Sequence, residues 1–171
     1  HLSIRRQRQM CIRDRYPSVY TTEEILKIEN SIDQASPHGK RDYSALLLAT
    51  RLGIRSGDIS SMTFRALDFE RNLILLAQHK TGVAIELPMI PDVKAALKRY
   101  LQEERAAHDS PYVFLRLIPP YSHISVQAVT KIAKTAIEAS VIDPGNHKWA
   151  LMLSGHLLPA PWSMTTSHMK L

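Results

Sequence analysis

The sequence is poor in cysteine, in aromatic residues and in long apolar runs. Its single cysteine, Cys11, excludes an internal disulfide, and no close cluster of further Cys, His or Asp residues indicates a metal site. The longest apolar runs, such as residues 45–50 and 73–77, are far shorter than the roughly 20 residues of a membrane-spanning helix. We expect no secretory leader, because residues 1–15 do not show a charged stretch followed by an apolar one. We therefore expect a cytoplasmic protein that uses no metal and has no membrane-spanning helix.

An excess of charge of one sign is also lacking from most of the chain. The formal net charge of +6 would usually indicate a nucleic-acid partner. However, residues 1–15 contribute +4 and residues 148–171 contribute +2, whereas residues 16–147 have 15 basic and 15 acidic residues. A DNA partner must therefore be argued from local motifs and not from the net charge.

What is present indicates one domain between two unrelated ends. A chain of 171 residues that is 44% apolar can bury one ordinary core. Residues 1–15 show no helical or strand period, and we expect a non-native leader; a genuine basic arm that touches phosphate is the alternative. Residues 148–171 hold both tryptophans of the chain and no acidic residue. We expect this tail to be foreign to the domain in residues 16–147.

Three helices are predicted in the first half of the domain. Residues 21–24 (TTEE) form a capping box ahead of an apolar stripe at Ile25, Ile28 and Ile32, which predicts a helix ending near Ala35. An Ala/Leu-rich helix is expected over residues 40–52, ended by Gly53. A short third helix is expected over residues 56–62.

A small sheet and two further helices are predicted in the second half. Residues 73–78 and 83–87 resemble strands joined by a tight turn at Gly82, and residues 66–69 are a possible third strand. Pro91 opens a helix to about Ala107, and residues 126–139 form another with one apolar face. The predicted fold class is α+β, mainly helical with a small antiparallel β-sheet.

One segment of the domain resembles a known catalytic motif. Residues 49–59 (ATRLGIRSGDI) are similar to the first catalytic box of the tyrosine recombinases of the phage-integrase type, in which a helix ends in Gly-aliphatic-Arg and an acidic residue follows three positions later. A hairpin with Lys80-Thr81-Gly82 and the Pro91 helix follow in the order typical of that family. The resemblance covers roughly Tyr16 to His147 and implies a partial catalytic domain.

The resemblance implies a phosphoryl transfer without a metal or a cofactor. In this family a tyrosine attacks the scissile DNA phosphate, forms a 3′-phosphotyrosine and releases a 5′-hydroxyl. Two arginines clamp the non-bridging oxygens, and a lysine protonates the leaving oxygen. The implied partners are double-stranded DNA and further recombinase protomers on a paired DNA site.

Arg55 and Lys80 match the family's first catalytic arginine and its hairpin lysine, so the resemblance implies that both are catalytic residues. Asp58 is expected either to hold the Arg55 guanidinium or to be an ordinary first-turn acid. Taken singly, such an arginine or lysine is more often a surface residue, and only their combination in family order points to catalysis. His79 and His123 are given no role, and His123 has no evident partner. Four further basic residues are either phosphate contacts or a solvated face: Arg65, Arg71, Lys131 and Lys134.

The second half of the family's active site is missing from the sequence. The family requires a His-x-x-Arg box, but the third residue after His147 is Ala150. It then requires a nucleophilic tyrosine, but the last tyrosine is Tyr121, on an earlier proline-rich loop. We therefore expect the chain to be inactive as written.

Our hypothesis for the missing box is a change of reading frame. Back-translation of the tail from Lys148 allows another frame to encode Met-Gly-Pro-His-Ala-Phe-Arg, which contains His-x-x-Arg. Two other hypotheses remain open: a non-catalytic DNA-binding or regulatory relative of the integrases, and a helical interaction domain without a DNA role.

Overall fold

The computed structural model describes residues 20–77, 84–105 and 108–142. The predicted leader, the turn that carries His79 and Lys80, and the predicted tail lie outside these residues. Within them the chain is mainly helical with one antiparallel sheet, so the predicted fold class is confirmed. The elements in chain order are α1 (Thr22–Asn30), α2 (Gly39–Leu52), α3 (Ser56–Ser60), a 3-10 turn (Phe64–Ala66), β1 (Leu67–Asp68), β2 (Leu73–Ala77), β3 (Ala84–Pro88), α4 (Pro91–Glu103) and α5 (Val126–Ala139).

Helix α1 begins as predicted and ends earlier. The Thr21 backbone N–H donates to Glu24 Oε2 at 2.7 Å, and the Glu24 N–H donates to Thr21 Oγ1 at 3.2 Å, which completes the capping box. The helix ends at Asn30 and not near Ala35. Beyond it, Asp33 Oδ1 accepts from the Ala35 N–H at 2.9 Å, and this local turn replaces the helical bond.

The N-terminus of α2 is capped from a distant part of the chain. His38, the residue before the helix, makes no capping bond with its side chain. Instead the Glu104 carboxylate, just after α4, accepts from the Lys40 N–H at 2.8 Å and from the Arg41 N–H at 3.4 Å. Because Glu104 turns away to make this cap, α4 ends at Glu103 and not near Ala107.

The Glu104 cap should make stability depend on pH. Burial raises the pKa of the Glu104 carboxyl, against the lowering effect of its two backbone hydrogen bonds. The pKa of Glu104 is therefore higher in the folded than in the unfolded state. Its contribution to the free energy of unfolding is then greatest below the unfolded-state pKa, and it is lost as pH rises through the folded-state pKa. Urea unfolding should therefore show wild type losing stability relative to Glu104→Gln over the pH range that begins at the ordinary glutamate pKa of 4.5 and extends above it. A relative gain over that range would contradict the burial effect.

The sheet is antiparallel with the strand order β1-β2-β3. Strand β2 pairs with β3 in the register Leu73↔Pro88 to Ala77↔Ala84, and Ile74 faces Leu67 of β1. All three predicted strands are present, although Gln78 and Val83 lie outside the described residues. The sheet follows directly after the segment that resembles the catalytic box.

The core lies between α2, α4 and α5, with α3 packed against α5. The predicted bounds of α5 are confirmed, and so is its apolar face, which consists of Val129, Ile132, Ala133, Ala136 and Ile137. Helix α3 ends at Ser60, two residues earlier than expected. No helix among the described residues is long and apolar enough to cross a bilayer.

The segment after α4 contributes an unpredicted part of the core. Val113 and Phe114 are fully buried, and Leu115 is 1% exposed. The Val113 N–H donates to the Met62 carbonyl at 2.8 Å, which ties this segment to the end of α3. The expectation that His123 has no partner was wrong, since its ring stacks on Tyr112 at 4.5 Å and its backbone pairs with Leu115.

Candidate functional site

The position of Arg55 is set by a sharp change of direction after α2. Gly53 has a left-handed φ of 64°, which a glycine adopts without strain. Its N–H donates to the Ala49 carbonyl at 3.1 Å, and the Ile54 N–H donates to the Leu48 carbonyl at 3.2 Å. Ile54 is then buried, and Arg55 follows in extended conformation as the residue before α3. The backbone position predicted for Arg55 is therefore confirmed, and the residue is half-buried.

Asp58 lies in the first turn of α3, three residues after Arg55. It is 6% exposed, so it is not a solvated surface acid. A carboxylate buried to this degree needs polar or charged neighbours to offset its loss of hydration. This burial favours the interpretation in which Asp58 acts together with Arg55, and its role stays a prediction.

A second acidic residue, which was not predicted from the sequence, contacts the last turn of α2. Glu29, on α1, is 2% exposed. It accepts from Thr50 Oγ1 at 2.6 Å, from Arg51 Nε at 2.9 Å and from Arg51 Nη2 at 2.6 Å. These bonds raise the pKa of Arg51. The burial of Glu29 could have been predicted from its spacing in the sequence. Glu29 follows Ile25 by four residues and Ile28 by one, which places it beside the apolar stripe of α1.

A pocket of about 270 Å³ opens beside α3. Its walls come from α3, the 3-10 turn and β2, and its polar lining includes Asp58, Ser61, Thr63 and Arg65. Arg65 is exposed, so a phosphate group can approach it from solvent. Lys80 follows strand β2 by three residues in the sequence and lies outside the described residues. The structure thus brings Asp58 and Arg65 to one pocket and does not test the role of Lys80.

The other basic candidates lie on exposed surface. Arg71, Lys131 and Lys134 are exposed, and Lys134 Nζ lies 3.7 Å from the Glu138 carboxylate. An exposed pair of this kind contributes little to stability. In residues 20–77, 84–105 and 108–142, no group of three His, Cys, Asp or Glu side chains could hold a metal ion.

Known proteins align with most of the chain. The phage integrase family model matches residues 18–164, a range that includes residues 148–164 of the predicted tail. The putative integrase/recombinase y4rA of Sinorhizobium fredii is 27% identical over 147 residues, which is 83% of this chain and 35% of that protein. The putative integrase/recombinase y4gC of the same organism is 31% identical over 106 residues, 61% of this chain and 55% of that protein. The chain thus spans about a third to a half of the length of these relatives.

Solved structures show the same fold. The crystal structure of XerA recombinase aligns with a TM-score of 0.64 and 15% identity, over 74% of this chain and 44% of that one. The lambda integrase catalytic core aligns with a TM-score of 0.58 and 22% identity, over 80% of this chain and 84% of that one. A family model that matches most of the chain and a fold shared with an integrase catalytic core lead to one conclusion: the chain belongs to the phage integrase family.

Proposed function

We propose that this chain is part of the catalytic domain of a site-specific DNA recombinase, and that Arg55 contacts the DNA phosphate at which strands are broken and rejoined. One observation carries the proposal: Arg55 is held at the α2–α3 junction by the Gly53 turn and the buried Ile54, beside the buried Asp58. A catalytic arginine needs such a fixed backbone. Family membership supplies the class of reaction.

The chemistry of a phosphodiester suits the guanidinium group. Its planar fork can donate two parallel hydrogen bonds to the two non-bridging oxygens, and charge-assisted bonds of this kind are stronger than neutral ones. Helix α3 has only five residues, so the arginine itself supplies most of the positive charge at this position. In the proposed site Asp58 holds Arg55, and Lys80 protonates the leaving 5′-oxygen.

The names of structural neighbours support the proposed partners. One is a lambda integrase tetramer bound to a Holliday junction, and another is XerH recombinase bound to its difH substrate. We propose that the complete protein likewise binds double-stranded DNA together with further protomers, in the cytoplasm. No cofactor takes part in the proposed reaction.

The nucleophile of the proposed reaction is not among the residues of this chain that match the family's motifs. We propose that the His-x-x-Arg box and the nucleophilic tyrosine are encoded in another frame after the His147 codon, and the nucleotide sequence tests this directly. With the frame restored, a nicked suicide DNA substrate should trap a covalent phosphotyrosine adduct. Absence of the adduct would favour the alternative of a non-catalytic DNA-binding relative.

DNA binding tests the proposal on the present chain, without a change to the reading frame. The full 171-residue chain should bind a short DNA duplex at about 50 mM salt, with an affinity that falls between about 50 and 200 mM as counterions are released. Fluorescence anisotropy with a labelled duplex gives both the affinity and its salt slope. Binding that is absent at low salt would support instead a helical interaction domain.

A further inference from the structure

Glu29 is a buried charged group that the proposed function leaves unused. It lies on α1 with 2% of its surface exposed, on a helix face that otherwise presents Ile25 and Ile28 to the core. Its carboxylate accepts three hydrogen bonds from Thr50 and Arg51, in the last turn of α2. Its partner Arg51 is only partly buried, with 31% of the side chain exposed.

The fold alone does not require a carboxylate at this position. Replacing a buried ion pair by apolar residues of similar volume is often neutral or stabilising, because the pair must first be desolvated. An aliphatic residue on α1 would continue the stripe of Ile25 and Ile28. A carboxylate bonded to two consecutive α2 residues instead fixes one local geometry, since its three short bonds are directional.

That geometry lies immediately before the catalytic arginine. Thr50 and Arg51 are followed by Leu52 and by the Gly53 turn, and Arg55 comes four residues after Arg51. The Gly53 and Ile54 N–H groups both donate to carbonyls of the same final turns of α2, at 3.1 and 3.2 Å. A small rotation of the last turn of α2 would therefore also move the backbone of Arg55.

We propose that Glu29 is a positioning residue for Arg55. By holding Thr50 and Arg51, it fixes the end of α2 and so the place at which the Arg55 guanidinium meets a DNA phosphate. This inference rests on the proposed function, because it assumes that Arg55 contacts phosphate.

The test is a double-mutant cycle on the full chain. Four proteins are compared: wild type, Glu29→Gln, Arg55→Ala and the double variant, each titrated into a labelled DNA duplex at about 50 mM salt. Glu29→Gln should weaken binding about 3- to 10-fold when Arg55 is present and less than about 2-fold when it is alanine. Circular dichroism at the same temperature checks that each variant is folded.

Two further variants keep the test decisive. Thr50→Val keeps the shape of a buried side chain and removes only one of the three bonds, so it should show the same dependence on Arg55 with a smaller loss of affinity if Glu29→Gln fails to fold. Glu104→Gln is the matched control. It alters a carboxylate that bonds to the other end of α2, about 20 Å away along the 14-residue helix, and should change affinity less than about 2-fold.

The possible results separate the two proposals. An equal loss of affinity from Glu29→Gln in both backgrounds would overturn the positioning role and leave the proposed function intact. An unchanged affinity in Arg55→Ala itself would overturn the proposed function, and the positioning role with it.

Discussion

Replacing Arg55 with alanine should weaken binding of the chain to duplex DNA by about 10- to 100-fold. Hydrogen bonds to charged groups contribute about 1.5–3 kcal/mol, and each 1.4 kcal/mol corresponds to a factor of ten. Loss of one phosphate contact should also reduce the slope of log affinity against log salt by about one. Anisotropy titrations at several salt concentrations measure both quantities.

Two control variants distinguish a bidentate contact between Arg55 and a phosphate from a nonspecific effect of positive charge on DNA binding. Arg55→Lys retains the charge and loses the bidentate geometry, so its affinity should lie between those of wild type and Arg55→Ala. Arg99→Ala removes an exposed arginine on α4 whose guanidinium bonds to Gln34 at 3.1 Å, and it should change affinity less than about 2-fold. If Arg99→Ala weakens binding as much as Arg55→Ala does, the effect is one of net charge and Arg55 has no special role.

Replacing Phe114 with alanine should lower the free energy of unfolding by about 3–5 kcal/mol. The Phe114 ring is fully buried and stacks on Tyr100, with the centroids 5.5 Å apart and the planes at 10°. Its backbone carbonyl accepts from the Ile124 N–H at 3.1 Å, so the surrounding segment is held and cannot easily collapse into the cavity. Urea unfolding followed by circular dichroism measures the loss.

Tyr100→Phe is the matched control for the same aromatic pair. The Tyr100 hydroxyl donates to the Val113 carbonyl and accepts from the Leu115 N–H, both at 3.2 Å, and the variant removes these bonds while keeping the ring. It should cost about 1–3 kcal/mol, because the buried Leu115 N–H loses its partner, whereas the Val113 carbonyl still accepts from Arg105 Nε at 3.2 Å. A Phe114→Ala variant that loses less stability than Tyr100→Phe would show that the segment relaxes into the cavity and is not held in place by its packing.

Local signals in the sequence were sufficient for most of the secondary structure. The Thr21 capping box, the Gly53 terminus of α2 and the apolar stripe of α5 each depend on residues a few positions apart, and all three are present in the structure. The errors arise where a distant group replaces a local bond. Glu104 leaves α4 early to cap α2, a contact that spans 64 residues and has no local pattern.

Only part of the candidate site could be predicted from the sequence. The motif around Arg55 gave its place in the backbone, because the helix terminus, the turn and the next helix all lie within a few residues. The Glu29 bonds to Thr50 and Arg51 were not predicted, since they join residues 21 and 22 positions apart on different helices. The buried segment at Val113–Leu115 was missed because it has neither a helical nor a strand period and is held by pairing with Met62 and Ile124.

Helix α2 is held at both ends by carboxylates that other elements supply. Glu104 bonds to its first N–H groups, and Glu29 bonds to side chains of its last turn. Ordering a flexible side chain on association costs about 0.5–1.5 kcal/mol, and ordering backbone adds to that cost. In this protein, folding has already ordered the backbone that carries Arg55. The junction is therefore preorganised, so that under the proposed function the binding energy from DNA would be available for the phosphate contact itself.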